Sequence, residues 1–330
     1  MSKDLAGQGL LARVDEFLGD ELQAVERILR AELASSNPYV RDVFAHVTRF
    51  RGKRLRPMLL LLSASAGGAV TEEHRVLAAV VEMIHTATLV HDDVLDEADT
   101  RRHVATVNAR WNNETSVLFG DYLFTHAFHL AASLESTQAC RLIGRATNIV
   151  CEGELSQIRE RGNLELSEES YLRIIEAKTA ELCALCCRLG GDYSGADEAV
   201  VSSLEQYGRS LGIAFQIADD LLDLVGTERE TGKTLGTDLE KQKLTLPLIR
   251  LLSRASESEA GRIRNLLSRP NAQSRAALMP SLEQSGAIEY AVRRAGGFAT
   301  AASGHLDGVA DCPGKEILIE MAEFAVRRAS

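Results

Sequence analysis

Two short acidic motifs are the parts of this sequence best suited to chemistry. The first, HDDVLDEADTRRH, covers residues 91–103, follows the apolar run VLAAVVEMIHTATLV and contains a pair of arginines near its end. The second, FQIADDLLDLVG, covers residues 215–226 and repeats the pattern of two adjacent aspartates and a third. Aspartates one helical turn apart repel each other, and the partial negative charge at the C-terminal end of a helix adds to the repulsion. Each motif therefore needs positive charge from elsewhere.

Carboxylates without histidine or thiolate partners favour hard divalent cations. Mg2+ in particular takes one or two carboxylates per ion, keeps several waters and bridges to substrate phosphate. Two facing acidic motifs would hold several such ions with a diphosphate between them. The alternative is a solvated acidic helix end, but repetition after two apolar helices favours the metal site. The candidate ligands are Asp92, Asp93, Asp96, Asp219, Asp220 and Asp223.

Basic residues accompany these motifs although the whole chain carries a formal net charge of -10. The stretch RGKRLRP, residues 51–57, places four cations within six residues, which an acidic protein does not need for solubility. Arginine forks and lysine charges are common ligands of phosphate, and a basic surface turn is the alternative. The other cations that we single out are Arg101, Arg102, Lys178, Lys233 and Lys243, of which the last two lie in the segment after the second motif.

The overall charge also excludes some functions. Nucleic acids and anionic membranes are held largely by basic patches, so a net negative chain is not expected to bind either in general. The N-terminus lacks the pattern of a signal peptide, and no apolar run is long enough to span a bilayer. The six cysteines lack the spacing of a zinc site, which indicates reduced, buried thiols. We therefore expect a cytoplasmic protein without a transmembrane segment.

The elements that position these residues are predicted to be helices. Apolar residues recur at spacings of three and four, prolines number only six, and alternating strand patterns are missing. Helices are predicted over about 116–134, 137–160, 167–189 and 197–224, with breaks at Gly162–Asn163 and Gly190–Gly191. Several are apolar on all sides, which places them at the centre of a bundle. With no linker-like stretch, residues 1–330 are predicted to form one all-α domain.

One long loop interrupts this helical pattern. The segment GTERETGKTLGTDLEKQK, residues 226–243, combines three glycines with alternating charges directly after the second acidic motif. Loops of this length inside a compact domain are uncommon unless they are functional or disordered. We expect this loop to close over the site and exclude water.

Six motifs in order give the sequence a recognisable character: GKRLRP, HDDVLDEADTRR, GDYLF, AKTA, GIAFQIADDLLD and GKTLGTDLEKQKLTLP. They closely resemble the motifs of the trans-polyprenyl diphosphate synthases, over a region from about Arg51 to Pro247. The resemblance implies the isoprenoid synthase fold, a bundle of long helices around a central cavity, usually as a homodimer. It also implies an enzyme that uses Mg2+, with several ions per site, to condense an allylic diphosphate with isopentenyl diphosphate.

Carried over by position, the resemblance assigns the candidate residues to separate roles. All six aspartates would bind the metal ions that hold the allylic diphosphate, with Asp92, Asp96 and Asp219 as the principal metal ligands. The cations expected to contact that same diphosphate are Arg101, Lys178, Lys233 and Lys243. The residues expected to hold isopentenyl diphosphate are Lys53, Arg56, His85 and Arg102. Thr179 and Gln216 would lie near the carbocation and stabilise its developing charge.

The chemistry implied by these roles needs no protein nucleophile. Metal ions and cations neutralise the leaving diphosphate, the double bond of isopentenyl diphosphate attacks the allylic cation, and the departing diphosphate accepts the proton. Two departures from the family pattern concern the backbone: His103 and Gln242 stand where glycine is common. Glycine permits positive φ angles that histidine and glutamine resist, so the local conformation is open at both positions.

Product length depends on how far the growing chain extends beyond the first motif. Short-chain members of the family commonly carry aromatic residues four or five positions before the first aspartate, where this chain has the small Thr88 and Ala87. Phe124 and Phe128 lie deeper, and Phe128 is the predicted floor of the tunnel, although both could simply fill the core. We expect a medium- to long-chain, octaprenyl-like product.

Three other functions remain open from the sequence. The main alternative is a short-chain synthase that makes farnesyl or geranylgeranyl diphosphate. A non-catalytic subunit of a heteromeric synthase is less favoured, because such a subunit would be expected to have lost its acidic motifs. A terpene cyclase uses the same metal-triggered ionisation, but it needs no second diphosphate site and therefore no basic RGKRLRP stretch.

Overall fold

The computed structural model describes residues 2–50, 52, 54–226, 235–271 and 273–327. Helices dominate this part of the chain, which confirms the predicted all-α class. Its strands form one short antiparallel hairpin, in which β1 Thr100–Arg101 pairs with β2 Val104–Ala105. Within the described ranges, every helix is too short or too polar to cross a membrane.

The first acidic motif lies in the N-terminal half of the bundle. Its helices are α1 Ser2–Glu32, α2 Pro38–Val47, α3 Leu55–Gly67, α4 Glu72–Leu95, α5 Val107–Arg110, α6 Asn113–Ala132 and α7 Gln138–Arg159. Side-chain caps fix several of the starts: Asn37 accepts from the backbone of Tyr39, and Asn112 accepts from the backbone of Thr115. Both capping residues lie in short segments between helices, so the caps define where α2 and α6 begin.

The second acidic motif lies in the C-terminal half. Its helices are α8 Glu168–Ile175, a π-helical segment Glu176–Ala180, α9 Glu181–Tyr193, α10 Glu198–Val225, α11 Thr237–Glu240, α12 Leu246–Arg254, α13 Glu257–Ser268, α14 Ser274–Gln284, α15 Ala287–His305 and α16 Pro313–Arg327. Ser167 caps α8 and Asp197 caps α10, close to the predicted starts. The short helix α11 lies inside the segment 226–243 that was predicted as a loop.

Helix α3 occupies the centre of the larger of two hydrophobic clusters. Leu59, Leu60, Leu61 and Leu62 are all fully buried, so four successive residues around the helix face other helices. Its neighbours are α4, α9 and α16. The second cluster is built mainly from α8, α10 and α12 to α15, and Phe298 and Val326 pack against both clusters.

The predicted break at Gly190–Gly191 is wrong, because α9 continues through both glycines to Tyr193. A Cβ atom at Gly190 would lie only 2.4 Å from the carbonyl oxygen of Leu60 on α3. The missing side chain therefore allows two central helices to approach closely, and it does not end the helix. The predicted break at Gly162–Asn163 is confirmed, since both residues lie between α7 and α8.

Candidate active site

The first acidic motif lies at the C-terminal end of α4, where Asp96 is the C-cap. Asp93 is almost fully buried, and the Nε and Nη2 atoms of Arg101 each lie 2.9 Å from its Oδ1. The hairpin that carries Arg101 thus folds back over the helix end. Burial raises the pKa of Asp93 although Arg101 opposes the shift. Its Oδ2 atom is buried without a hydrogen-bond partner among the described residues.

Asp96 lies among three cations from two other segments. Its Oδ1 is 3.1 Å from Arg161 Nη2 and 3.7 Å from Lys243 Nζ, and its Oδ2 is 3.2 Å from Lys241 Nζ. Burial would raise the pKa of Asp96, but Lys243 and Lys241 outweigh it and the pKa falls below its usual value. The sequence reasoning identified Lys243 but missed Arg161 and Lys241. No motif marks Arg161 in the sequence, and the only signal for Lys241 is its place in the segment 226–243 that follows the second motif.

Asp92 is the outer carboxylate of the first motif, and its cationic partner is Lys178. Lys178 Nζ lies 3.9 Å from Asp92 Oδ2 and also contacts the carboxylate of Glu154 on α7. Burial lowers the pKa of Lys178, but the two carboxylates more than reverse this effect and raise it. Glu154 was not identified from the sequence, because no motif marks it.

The second acidic motif lies near the end of α10 and includes Asp219. Asp220 accepts hydrogen bonds from Tyr171 Oη at 2.6 Å and from Gln216 Nε2 at 2.7 Å. Burial and the nearby charge of Asp238 raise the pKa of Asp220 to about 8, although these two donors oppose the shift. Tyr171 was missed from the sequence, since it lies far along the chain on α8.

Asp223 connects the second motif to the segment that follows it. Its Oδ1 accepts from Thr237 Oγ1 at 3.1 Å, and its Oδ2 accepts from the backbone N–H of Asp238 at 3.1 Å. These donors belong to the first turn of α11, so the aspartate caps that short helix. The same segment carries Lys241 and Lys243, and therefore the second motif positions the cations that contact the first.

The π-helical segment carries the residues that join the two motifs. Lys178 reaches the first motif through Asp92, whereas Thr179 donates to Gln216 Oε1 at 2.8 Å and so connects to Asp220. Such single-turn π segments occur frequently at functional sites. Here one wide turn directs two adjacent side chains towards different aspartate motifs.

A second cationic region lies near the start of α3. His85 on α4 is half-buried, and burial together with Arg56, Arg101 and Arg102 lowers its pKa well below the usual value. Arg102 donates to the carbonyl oxygen of Phe50, which lies in the segment before α3. Neither Arg56 nor Arg102 has a carboxylate partner within the described ranges, whereas Arg101 is paired with Asp93. An anion with several oxygens would supply the missing negative charge.

Comparison with known proteins assigns the chain to a family. Residues 37–282 match the family model described as Polyprenyl synthetase. The chain belongs to the polyprenyl synthetase family. It is 36% identical to the octaprenyl diphosphate synthase of Escherichia coli (strain K12) over 321 residues, which cover 96% of this chain and 99% of that protein.

Solved structures of polyprenyl synthases share the fold of this chain. A decaprenyl diphosphate synthase from Rhodobacter capsulatus aligns with a TM-score of 0.92 and 37% identity, covering 97% of this chain and 99% of that one. A polyprenyl synthase from Caulobacter crescentus CB15, complexed with calcium and isoprenyl diphosphate, aligns with a TM-score of 0.92 and 34% identity, covering 97% and 98%. The prediction of a trans-prenyltransferase of the medium- to long-chain group is confirmed by the octaprenyl and decaprenyl diphosphate synthases among these relatives.

Within this polyprenyl synthetase, the residues predicted to set product length lie on two packed helices. Ala87 on α4 is fully buried, and Thr88 Oγ1 donates to the carbonyl oxygen of His85. Phe124 and Phe128 on α6 are half-buried, with ring centroids 5.5 Å apart. Their control of product length stays a prediction. Of the other predicted site residues, Lys53 and Lys233 lie outside the described ranges.

Proposed function

We propose that this polyprenyl synthetase extends an allylic prenyl diphosphate with isopentenyl diphosphate units to an all-trans product near octaprenyl length. The observation that carries the proposal is the presence of two separate groups of cations, each of which could hold an anion. One lies between the two aspartate motifs, and the other is formed by Arg56 and Arg102 beside His85. Two diphosphate sites fit a condensation of two substrates, whereas a terpene cyclase would need only the first.

The donor set between the motifs fits Mg2+. In the described part of the chain, no cluster of three or more His, Cys, Asp or Glu side chains is preformed for a metal. Mg2+ does not require one, because water and substrate phosphate fill most of its coordination positions. Asp92, Asp96 and Asp219 would hold the ions, and the buried Asp93 Oδ2 without a partner fits a nearby cation. The calcium in the related Caulobacter crescentus structure supports a divalent cation. Bound Mg2+ would supply Lewis-acid neutralisation of the leaving diphosphate.

The protein's own residues would then orient and stabilise the reacting groups. Lys178 and Lys243 would contact the allylic diphosphate and offset the charge that develops as its carbon–oxygen bond breaks. Thr179 donates to Gln216, and Gln216 donates to Asp220, so these hydrogen bonds hold two side chains whose oxygen atoms would face the carbocation. His85 stays neutral, because its pKa is lowered, and it can accept or donate a hydrogen bond beside isopentenyl diphosphate.

A homodimer is also proposed, with an interface at the end of the bundle that carries the first motif. Leu118 on α6 and Leu155 on α7 expose 68% and 67% of their surface, and Val117 beside them exposes 44%. His91 Nε2 lies 3.1 Å from the carbonyl oxygen of Val117, which places the start of α6 next to the first motif. We infer that these exposed side chains form one apolar patch, a feature typical of a protein–protein interface. The single domain over 1–330 and the cytoplasmic location stay predictions.

The test is a condensation assay on the purified chain alone. Labelled isopentenyl diphosphate, MgCl2 and several allylic primers should give polyprenyl diphosphates longer than geranylgeranyl. Asp92→Asn and Asp219→Asn should lose more than about a hundredfold in kcat, whereas the exposed Asp307→Asn should not change it. No product from the wild-type chain would contradict the catalytic proposal and favour a non-catalytic subunit. Products no longer than geranylgeranyl would favour the short-chain alternative.

The dimer has a test of its own. Light scattering after size exclusion should give twice the chain mass of 35.9 kDa for the wild type. Leu118→Glu places a charge in the apolar patch and should shift the equilibrium towards the monomer, whereas Leu11→Glu, on the exposed face of α1, should leave it unchanged. A monomeric wild type would contradict the dimer, independently of the outcome of the condensation assay.

A further inference from the structure

The backbone of Arg54 is in a conformation that few residues of its type adopt. It has φ 52° and ψ 36°, in the left-handed region, and it is the N-cap of α3 without a side-chain cap bond. The left-handed region is unfavourable for an L-residue other than glycine, because its Cβ atom lies too close to the backbone. Such strain persists only where the surrounding structure determines it, and it often marks a functional site. The contacts of the Arg54 side chain show what holds it.

Two carboxylates from different helices hold the Arg54 guanidinium. Its Nε donates to Glu26 Oε1 on α1 at 2.6 Å, and its Nη1 donates to Glu82 Oε1 on α4. The side chain of Glu82 is only 6% exposed, and that of Arg54 is 27% exposed. Burial raises the pKa of Glu82, although Arg54 and Arg56 oppose the shift. Removing one member of such a buried pair is costly, because the other charge is left without a partner.

This clamp lies inside the region proposed to bind isopentenyl diphosphate. Glu82 is three residues before His85 on α4, and Arg56 follows Arg54 by two residues. A Cβ atom at Gly52 would lie 2.6 Å from Arg102 Nη1, so that guanidinium rests on the backbone just before Arg54. Arg56 has a buried Nε atom without a hydrogen-bond partner in the described structure. Arg56 and Arg102 are therefore free of carboxylate partners in the described structure, whereas the charge of Arg54 between them is already neutralised by Glu26 and Glu82.

We propose that Arg54 is a positioning residue of the isopentenyl diphosphate site and does not itself bind the diphosphate. Its clamp to Glu26 and Glu82 holds the start of α3 in the left-handed conformation, which directs Arg56 and Arg102 towards the same anion. The proposal rests on the proposed function, because it assigns the substrate of this cationic region. It adds three residues that the sequence motifs did not assign to any role: Glu26, Arg54 and Glu82.

Glu82→Gln distinguishes positioning from direct binding. If Arg54 were a diphosphate ligand, removing the charge of its buried partner would leave it freer to bind, and KM for isopentenyl diphosphate would fall. If Arg54 positions the start of α3, Glu82→Gln weakens the contact that holds it there, and KM for isopentenyl diphosphate rises. Arg54→Gln should raise KM for isopentenyl diphosphate about tenfold, with kcat and the KM of the allylic primer nearly unchanged. The double variant Arg54→Gln/Glu82→Gln should be no worse than Arg54→Gln, since both changes remove one interaction.

Arg75→Gln is the matched control. Arg75 also connects α4 to α1, through Nε and Nη2 bonds of 2.6 and 3.0 Å to Glu21, but it lies in the first turn of α4, ten residues before His85. It should lower thermal stability without changing either KM. Glu26→Gln keeps the test open if Arg54→Gln does not fold, because Glu26 is partly exposed; it should raise the same KM by a smaller factor.

The outcomes separate the two proposals. An inactive wild type would overturn the proposed function. An active wild type in which Glu82→Gln lowers KM for isopentenyl diphosphate, or in which Arg54→Gln and Glu26→Gln leave it unchanged, would overturn the positioning role alone. Equal increases in KM for both substrates would also overturn it, because the effect would then be general destabilisation of the site.

Discussion

Lys178 and Glu154 form an ion pair beside the first acidic motif, with the lysine Nζ also 3.9 Å from Asp92 Oδ2. All three side chains are at least three-quarters buried, at 23%, 15% and 24% exposure, so solvent screens their charges only partly. One ammonium group thus offsets carboxylates from α4 and α7. We expect the same group to contact the allylic diphosphate when the substrate binds.

Replacing Lys178 should therefore weaken binding and turnover of the allylic substrate and leave the binding of isopentenyl diphosphate almost unchanged. Lys178→Gln should raise KM for the primer about tenfold and lower kcat, because its charge is needed both for binding and as the diphosphate leaves. KM for isopentenyl diphosphate should stay within about twofold. Initial-rate kinetics with each substrate varied in turn measure both constants. Arg173→Gln, in an exposed pair on α8, is the control and should change neither. Equal changes for both substrates would contradict the assignment.

Two glycines should be required for the π-helical segment. A Cβ atom at Gly153 on α7 would lie 2.8 Å from the backbone nitrogen of Lys178, and one at Gly212 on α10 would lie 2.5 Å from Ala180 Cα. Gly153→Ala or Gly212→Ala should cost about 1–3 kcal/mol by overpacking and lower kcat by displacing Lys178 and Thr179. Urea unfolding and activity assays measure the two effects.

Gly144→Ala is the control for these glycines, because it lies on the same α7 helix as Gly153. There the nearest atom to an added Cβ is Phe128 Cε1, at the ordinary contact distance of 3.9 Å. The helix should gain up to about 1 kcal/mol from the better propensity of alanine. A loss of stability in Gly144→Ala as large as that in Gly153→Ala would show that packing at the π segment is not the cause.

The sequence predicted the long helices well because their signals are local. The span 197–224 agrees with Glu198–Val225 to within one residue, since Asp197 is a strong N-cap and the apolar spacing continues to the end. The aspartate motifs were recognised because each repeats a short pattern on one helix face. Both features can be read from residues that are neighbours along the chain.

Features that depend on distant contacts could not be predicted in this way. Periodicity favoured one continuous helix over 167–189, but the structure inserts a π turn at Glu176–Ala180, where glycines on two other helices make room. Arg161 and Lys241 reach Asp96 only because α7 and α11 end near it. Gly190 was interpreted as a break because the sequence does not show that α3 packs against it.

His103 and Gln242, which stand where glycine is common in the family, both adopt left-handed backbone conformations. Their φ angles are 63° and 54°. Glycine would remove roughly 1–2 kcal/mol of strain at each position, partly offset by its larger entropy loss on folding. His103→Gly should therefore raise the free energy of unfolding by up to about 1 kcal/mol. Gln242→Gly should gain less, because it also loses the hydrogen bond of 2.9 Å from Gln242 Nε2 to the carbonyl oxygen of Ser268. His129→Gly on the exposed side of α6 should instead lower the free energy of unfolding, and urea titration measures all three. Destabilisation by His103→Gly would contradict the strain argument.

His85 should make stability depend on pH. Its pKa is lowered in the folded protein, so an unfolded chain takes up a proton near pH 6.5 that the folded chain does not. The free energy of unfolding therefore has its full value above pH 6.5 with respect to this group, and it decreases as the pH falls below 6.5. Between pH 7.5 and 5.5 the wild type should lose up to about 1.4 kcal/mol more than His85→Gln. The buried His74, whose pKa is also lowered, is present in both proteins, so its contribution cancels. Parallel loss of stability in the two proteins would contradict the prediction.

Product length should depend on the α4 and α6 residues that border the predicted path of the growing chain. Ala87→Phe places a ring one turn before the first motif and should shorten the product to the farnesyl or geranylgeranyl range. Phe128→Ala should lengthen it by removing the predicted floor, and Phe124→Ala, whose ring is 5.5 Å away, is the control for simple core loss. Both phenylalanine variants should lose similar stability, but only Phe128→Ala should change the product. Thin-layer chromatography of the dephosphorylated products measures chain length. An unchanged distribution in Ala87→Phe, or equal lengthening by both phenylalanine variants, would contradict this account of length control.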